Sequence, residues 1–249
     1  MKPPTAAELL SFWEDCLHKP LLERSLHLLA SACSLPDSNT VALMSIGERD
    51  ARLLQIREWL FGSRLSNVAH CPHCGEKVEW ENDTAAFHLQ PFSSPEPAFK
   101  IFQLQTGAFH IRFRLPNSQD VQQALNDRAF FEQPRKFLAR CMVDLNGSEQ
   151  DIAEKVKVLP AEVFEQLSQQ IELEDPQANI SFQMNCPACQ HEWPITFDIQ
   201  SYLWAEIDNW AKHVLREVYL LARSFGWSER DILNMHPLRR QLYLEIIGS

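Results

Sequence analysis

Three observations predict a mainly helical α+β fold: apolar residues recur at helical spacing at both ends of the chain, strict alternation flanks two Cys-x-x-Cys pairs, and a hairpin pattern lies between those pairs. The 249 residues are 45% hydrophobic with only seven glycines, which supports a buried core and disfavours disordered, collagen-like or linker-rich chains. A net charge of −10 repels phosphate backbones and disfavours general nucleic-acid binding.

At the N-terminus, Thr5-Ala6-Ala7-Glu8 reads as a capping box for a helix carrying Leu9, Trp13, Cys16 and Leu17 on one face. Pro20 opens a second helix with the stripe Leu21, Leu22, Leu26 and Leu29, and residues 35–39 break it. From Glu48 to Phe61 the charges are spaced for i,i+4 pairing, and Gly62 suits a helix stop. Residues 1–66 are therefore expected to form a helical segment.

Around the first cysteine pair the period changes to two, with Val78 and Trp80 on one side and Lys77, Glu79 and Glu81 on the other. Residues 99–104 and 109–115, separated by Thr106-Gly107, read as a hairpin, and Asn117-Ser118 caps the helix that follows. Further helices are expected from Pro134 to a stop at Gly147 and from Pro160 to Asp175-Pro176. Ile180, Phe182 and Met184 then alternate into the second cysteine pair. The resulting division is a split zinc-ribbon-like element at 67–90 and 178–199, an inserted α/β region at 91–177 and a C-terminal helical module at 200–249.

The last of these is the most regular. Leu203, Ile207, Trp210, Val214, Val218, Leu221 and Phe225 recur at steps of three or four up to Gly226, Ser228–Asp231 caps a short helix, and Pro237 opens a final helix carrying Leu238, Leu242, Leu244, Ile246 and Ile247. A helical hairpin or small bundle is expected there. The N-terminus lacks the apolar run of a secretory signal, and the apolar-rich stretch 202–225 holds too many charges for a membrane span. A cytoplasmic, membrane-free protein is the expectation.

Seven cysteines in a reducing compartment direct attention to spacing rather than to disulfides. Cys71-Pro72-His73-Cys74 and Cys186-Pro187-Ala188-Cys189 are two knuckles whose four thiolates would complete the closed tetrahedral set of a structural zinc, one per chain. The residues between them are no obstacle, because loop-closure entropy grows only by about 0.6 kcal/mol per doubling of length.

Two rivals use the same residues. Cys-Pro-His-Cys also occurs in thioredoxin-like oxidants, where a helix start activates the first thiol, but here the following residues alternate like a strand. A catalytic zinc would need an open position, with His73, His191 or Glu192 as acid or base. His70, His73 and His191 are expected beside the ligands or facing solvent, and Cys16, Cys33 and Cys141 are expected in the core. Arg112/Arg114 and Arg239-Arg240 read as solvated faces. No nucleophile triad, phosphate loop or carboxylate pair stands out, so no enzyme is expected. A zinc-ribbon nucleic-acid regulator is the alternative, though Glu76, Glu79, Glu81 and Glu192 crowd the knuckles.

At Glu23-Arg24, Ile46–Leu54, Phe61-Gly62, Phe113–Pro116, Asp175–Ala178, both knuckles, Phe197–Ile199, Leu203–Ile207, Leu221–Leu233 and Arg239–Tyr243, the chain resembles the baseplate proteins of T-even-type phages and contractile injection systems. That resemblance implies a role in building a baseplate or tail, as a chaperone-like factor or a minor component, with hub or tape-measure proteins as partners. Gln190 stands where such knuckles often carry glycine. Trp227 is expected to close the end of its own helix or, with Met235, Leu238, Leu242 and Tyr243, to line a groove for a partner helix.

Overall fold

The computed structural model describes residues 1–35, 37–87, 100–127 and 134–248. Pro36 of the predicted helix break, Phe99 at the start of the predicted hairpin and the 88–90 end of the first ribbon half lie outside them.

Four helices open the chain: α1 (Ala6–Cys16), α2 (Leu21–Cys33), the short α3 (Ser38–Ala42) and α4 (Ile46–Phe61). The α1 capping box forms as expected, with Thr5 Oγ1 accepting from the Glu8 backbone and Glu8 accepting from the Thr5 backbone. In α4 the expected i,i+4 pairing forms between Glu48 and Arg52, while Arg57 pairs elsewhere. Arg49, Arg52 and Arg57 are 2–3% exposed. Arg52 pairs with Glu48 one turn away, but Arg57 donates to both carboxylate oxygens of Glu206 at 2.8 and 2.7 Å and to the Gly62 carbonyl at 2.7 Å. A guanidinium satisfied this fully can be buried, so the Arg57–Glu206 pair is an interhelical clamp.

Glu206 lies on the long C-terminal helix, described below as α9, which packs against α1, α2 and α4. The core there joins Leu9, Trp13, Leu26, Leu29, Leu53 and Ile56 to Ile199, Leu203, Ile207 and Ala211. Trp13 Nε1 also donates to Asp208 at 3.0 Å. The helical ends of the chain, distant in sequence, thus share one interior.

Between them sit two hairpins and an insertion. The first hairpin is β1 (Arg64–His70) with β2 (Lys77–Asp83), so a strand precedes the first cysteine pair as well as following it. The insertion builds an antiparallel sheet of β3 (Ile101–Thr106), β4 (Phe109–Arg114) and β5 (Met142–Leu145), with helices α5 (Ser118–Asn126), α6 (Pro134–Cys141), α7 (Ile152–Lys157) and α8 (Ala161–Glu174). The helix expected from Pro134 to Gly147 therefore stops at Cys141. Met142 and Leu145 pair instead with Phe113 and Ile111 in the interior, and Asn146 and Gly147 make the turn at positive φ. Burial beside β4 outweighs local helical spacing there.

Arg114 is likewise not a solvated charge. It donates to both oxygens of the fully buried Asp120 at 2.6 and 2.8 Å, and Arg140 adds a contact at 3.2 Å. Burial would raise the Asp120 pKa, but the Arg114 guanidinium, the Asn117 N–H and Arg140 hold it below the usual carboxylate range. A depressed native pKa gives stability that is complete above the unfolded value and lost as pH falls through the native one. Asp120→Asn is expected to cost about 3 kcal/mol at neutral pH, by loss of a buried pair, and to flatten the acid limb of a urea-stability profile below about pH 4. An unchanged acid limb would contradict the assignment.

A second hairpin, β6 (Ser181–Asn185) with β7 (Glu192–Thr196), leads through Asp198 into α9 (Ile199–Phe225). Gly226, at φ +70, ends α9, and α10 (Glu229–Leu233) and α11 (Pro237–Gly248) complete the helical module. Arg240 is 6% exposed and donates to Glu217 at 2.6 Å, which corrects the solvated reading of the arginine pair for this member.

Candidate metal centre

Each Cys-x-x-Cys pair occupies the tip of a hairpin, and the two tips have the same backbone design. In the first, Gly75 N–H donates to the Cys71 carbonyl and Cys71 N–H to the Glu76 carbonyl, both at 2.9 Å. In the second, Gln190 donates to Cys186 and Cys186 to the His191 carbonyl at the same distances. The closing residue is left-handed in both, at φ +79 for Gly75 and +59 for Gln190. The second knuckle therefore keeps the turn without glycine, at a conformational cost of about 1–2 kcal/mol for a residue with a Cβ. Gly75→Ala is expected to lose about 1 kcal/mol in thermal unfolding while Gln190→Gly loses nothing; equal losses from both would contradict the matched turns.

The tips face each other. Cys71 Sγ lies 3.7 Å from Cys189 Sγ, Cys74 Sγ lies 3.6 Å from Cys186 Sγ, and all four sulfurs fall within 4.8 Å of one another. These separations exclude disulfides, whose sulfurs are about 2.05 Å apart, and all four cysteines are free. A tetrahedral ion with metal–sulfur bonds of about 2.3 Å would space its ligands about 3.8 Å apart. Four sulfurs in this arrangement could hold a metal ion.

The protonation balance follows from that crowding. Burial works against the Cys71 thiolate, yet N–H donors from Cys74 and His73 and the neighbouring sulfurs bring its pKa down to about 7. Cys74 is pushed up to about 12: the Glu76 backbone donor favours its thiolate, but the sulfurs of Cys189, Cys186 and Cys71, with burial, outweigh it. Cys189 is also raised, despite the His191 backbone donor. One thiolate forms easily, and further ones repel it unless a cation is shared.

The hairpins are separate two-stranded sheets that meet at the sulfurs rather than one continuous ribbon. Their bases meet again on Phe87, whose ring lies 5.2 Å from Phe182 and 4.9 Å from Phe197. Tyr202 at the start of α9 donates to the Ser66 carbonyl at 3.0 Å. The histidines lie outside the sulfur cluster: His73 stacks on His191 at 5.5 Å, and His70 Nδ1 lies 3.3 Å from the Gly75 carbonyl. The first pair sits in the turn between β1 and β2 rather than at a helix start, so the context that activates thioredoxin-like thiols is missing from it. Cys16, Cys33 and Cys141 are buried, as expected of core residues.

A family model described as T4 bacteriophage base plate protein matches residues 19–204 of the chain. The chain belongs to this baseplate family. No curated protein and no solved structure matches it at a comparable standard. The match to the baseplate family takes in both knuckles and ends in the first turns of α9, before the Leu221–Leu233 and Arg239–Tyr243 segments.

In this baseplate-family chain the C-terminal residues singled out from the sequence divide into two groups. Trp227 stacks on Phe225 at 4.5 Å and meets Tyr243 edge-on at 4.8 Å, so both rings close the α9–α11 corner. Leu238 and Leu242 are 61% and 51% exposed, while Met235 is half-buried. No described helix is long and apolar enough to cross a membrane.

The sequence reading missed a contact behind the second hairpin. Gly47 N–H in the first turn of α4 donates to the buried carboxylate of Asp175 at 2.9 Å. A Cβ on Gly47 would lie 2.0 Å from Asp175 Oδ1 and 2.9 Å from the Ala178 nitrogen. The turn at Pro176–Ala178 is thereby pressed onto α4 immediately before β6 begins. Both segments carry the family resemblance, and the pairing of a glycine with a distant acid has no local spacing to reveal it.

Proposed function

We propose that this baseplate-family protein is a zinc-stabilised, non-enzymatic assembly factor or structural component of a phage tail or contractile-injection baseplate. The observation that carries the reading is the convergence of four free thiols from two distant parts of the family-matched segment. Zinc suits an all-sulfur tetrahedral set, and with four protein ligands it leaves no open position for a substrate. Bound there, the ion supplies structural cohesion: it ties the hairpin that follows the N-terminal helices to the hairpin that starts α9. Other tail proteins, including hub or tape-measure components, are the partners this role requires. The regulator alternative is disfavoured by the charges at the hairpins, where Lys77 pairs with Glu79 and Arg64 lies 3.8 Å from Glu81.

Removing the gene from a cell that makes the particles is expected to leave tails without completed baseplates. The wild-type chain should restore them, and a Cys71→Ser/Cys186→Ser chain should not. Normal particles in the absence of the protein would overturn the proposal. Immunodetection in purified particles separates a permanent component from a transient factor.

A further inference from the structure

A cleft of about 550 Å³ lies between α5 of the insertion on one side and α2 and α3 on the other, and it includes none of the four clustered thiols. Gln119, Gln122, Gln123 and Asn126 line it from α5, a spacing that makes one face of a helix, and every side chain on that face is a carboxamide. A solvated helix face ordinarily carries charges; this one carries none. The helix is held by its other side, where Ala124 is buried and Val121 packs on the N-terminal core. Asn39 of α3 adds a fifth carboxamide from the facing wall, and the buried Leu26 and Ala42 close the base.

These groups are uncommitted. Among the described residues none of the five carboxamides makes a hydrogen bond within the chain. Glu23, half-buried in the α2 wall, likewise has no ion pair or hydrogen bond among them. A carboxamide both donates and accepts, so it can pair with the N–H and the C=O of a peptide unit at once. From Gln119 to Asn126 the helix rises about 10 Å, the length of about three residues of extended chain. The only ring in the lining is the imidazole of His27, which is engaged with Lys19 at 3.2 Å, so the aromatic platform on which bases stack is missing. A free carboxylate in the wall also repels phosphates.

We propose that this cleft holds an extended segment of a partner protein, gripped through its backbone by the carboxamides and through one Lys or Arg by Glu23. Backbone pairing then supplies affinity and the carboxylate supplies specificity. The net charge of −10 draws a basic segment toward it. Water already serves these amides, so each exchange contributes little, and binding in the micromolar range is expected. That the occupant belongs to a tail protein rests on the function proposed above; the chemistry of the cleft does not.

A random library of 12-residue peptides, selected against the full metal-loaded chain, tests the site without reference to any tail protein. The selected peptides are expected to share a Lys or Arg at one position and to shift the side-chain amide resonances of Gln119, Gln122, Gln123 and Asn126, leaving those of Gln170 and Gln241 in place. Glu23→Gln should weaken such a peptide about tenfold or more, yet leave unchanged the affinity of the same peptide with its Lys or Arg replaced by Gln. Gln122→Ala/Gln123→Ala should weaken both peptides alike. None of these three side chains is buried, so circular dichroism and metal content should match the wild-type chain. Binders that fill the cleft but match no tail protein would sustain the docking site while counting against the baseplate partner. Peptides that shift other amides, a Glu23→Gln chain that binds as tightly as wild type, or a cleft that takes the neutral sugar chitotriose and no peptide would overturn the proposal.

Discussion

Cys186→Ser is expected to lower the melting temperature by about 10 °C or more and to abolish stoichiometric metal binding. A structural zinc contributes on the order of 10 kcal/mol or more of apparent free energy in small zinc domains, and at this chain length each kcal/mol shifts the midpoint by about 2–4 °C. The loss falls on a particular part of the molecule. Each two-stranded hairpin is too small to be stable alone, and besides the sulfurs the two meet through Phe87, Phe182 and Phe197 and through the His73–His191 stack. Amide exchange in residues 64–83 and 181–196 should accelerate, while Leu29, Ile56 and Ile207 in the helical core stay protected. Cys16→Ser or Cys33→Ser should leave metal content untouched, since neither belongs to the sulfur cluster. A Cys186→Ser chain with unchanged melting and exchange would contradict the account.

Gly47→Ala is the second large effect, expected to cost about 3–5 kcal/mol in urea unfolding. The added methyl would overlap the Asp175 carboxylate, so α4 and the turn at Pro176–Ala178 must separate. Overpacking of this kind costs about 1–3 kcal/mol, and a buried acceptor left without its donor about 1–3 more. Asp175→Asn is the matched control, because an amide oxygen can still accept from Gly47 without a charge to bury. Burial raises the Asp175 pKa, and the Gly47 N–H only partly offsets this. A raised native pKa means stability that is complete at low pH and lost as pH rises through the native value, so Asp175→Asn should remove that decline and change neutral-pH stability by less than about 1 kcal/mol. If Gly47→Ala were as mild as Asp175→Asn, the close approach would not be a determinant of the fold.

Much of this architecture is visible in residue order because it is set by local physics. The Thr5 capping box, the stop at Gly226 and the long stripe from Leu203 to Phe225 depend on neighbours three or four residues apart, and each forms where the pattern places it. The thiol cluster is legible for another reason: a Cys-x-x-Cys turn is a local object, and two of them need only meet. The insertion is harder. Met142–Leu145 becomes a strand because β4 offers it an edge and a core, information held some thirty residues upstream. Arg57 of α4 and Arg114 cannot be paired from sequence because their carboxylates arrive from other elements, Glu206 from α9 and Asp120 from α5. Gly47 is the extreme case, since its role is to lack an atom where Asp175 stands.

The central claim is that one ion held by Cys71, Cys74, Cys186 and Cys189 fastens the two hairpins together. Native mass spectrometry of the purified chain, compared with the acid-denatured chain, tests it most directly. The account predicts one zinc per native chain, all seven cysteines reduced, and loss of the ion when any one of the four is replaced by serine. A metal-free native chain with Cys71–Cys74 and Cys186–Cys189 oxidised separately would contradict it.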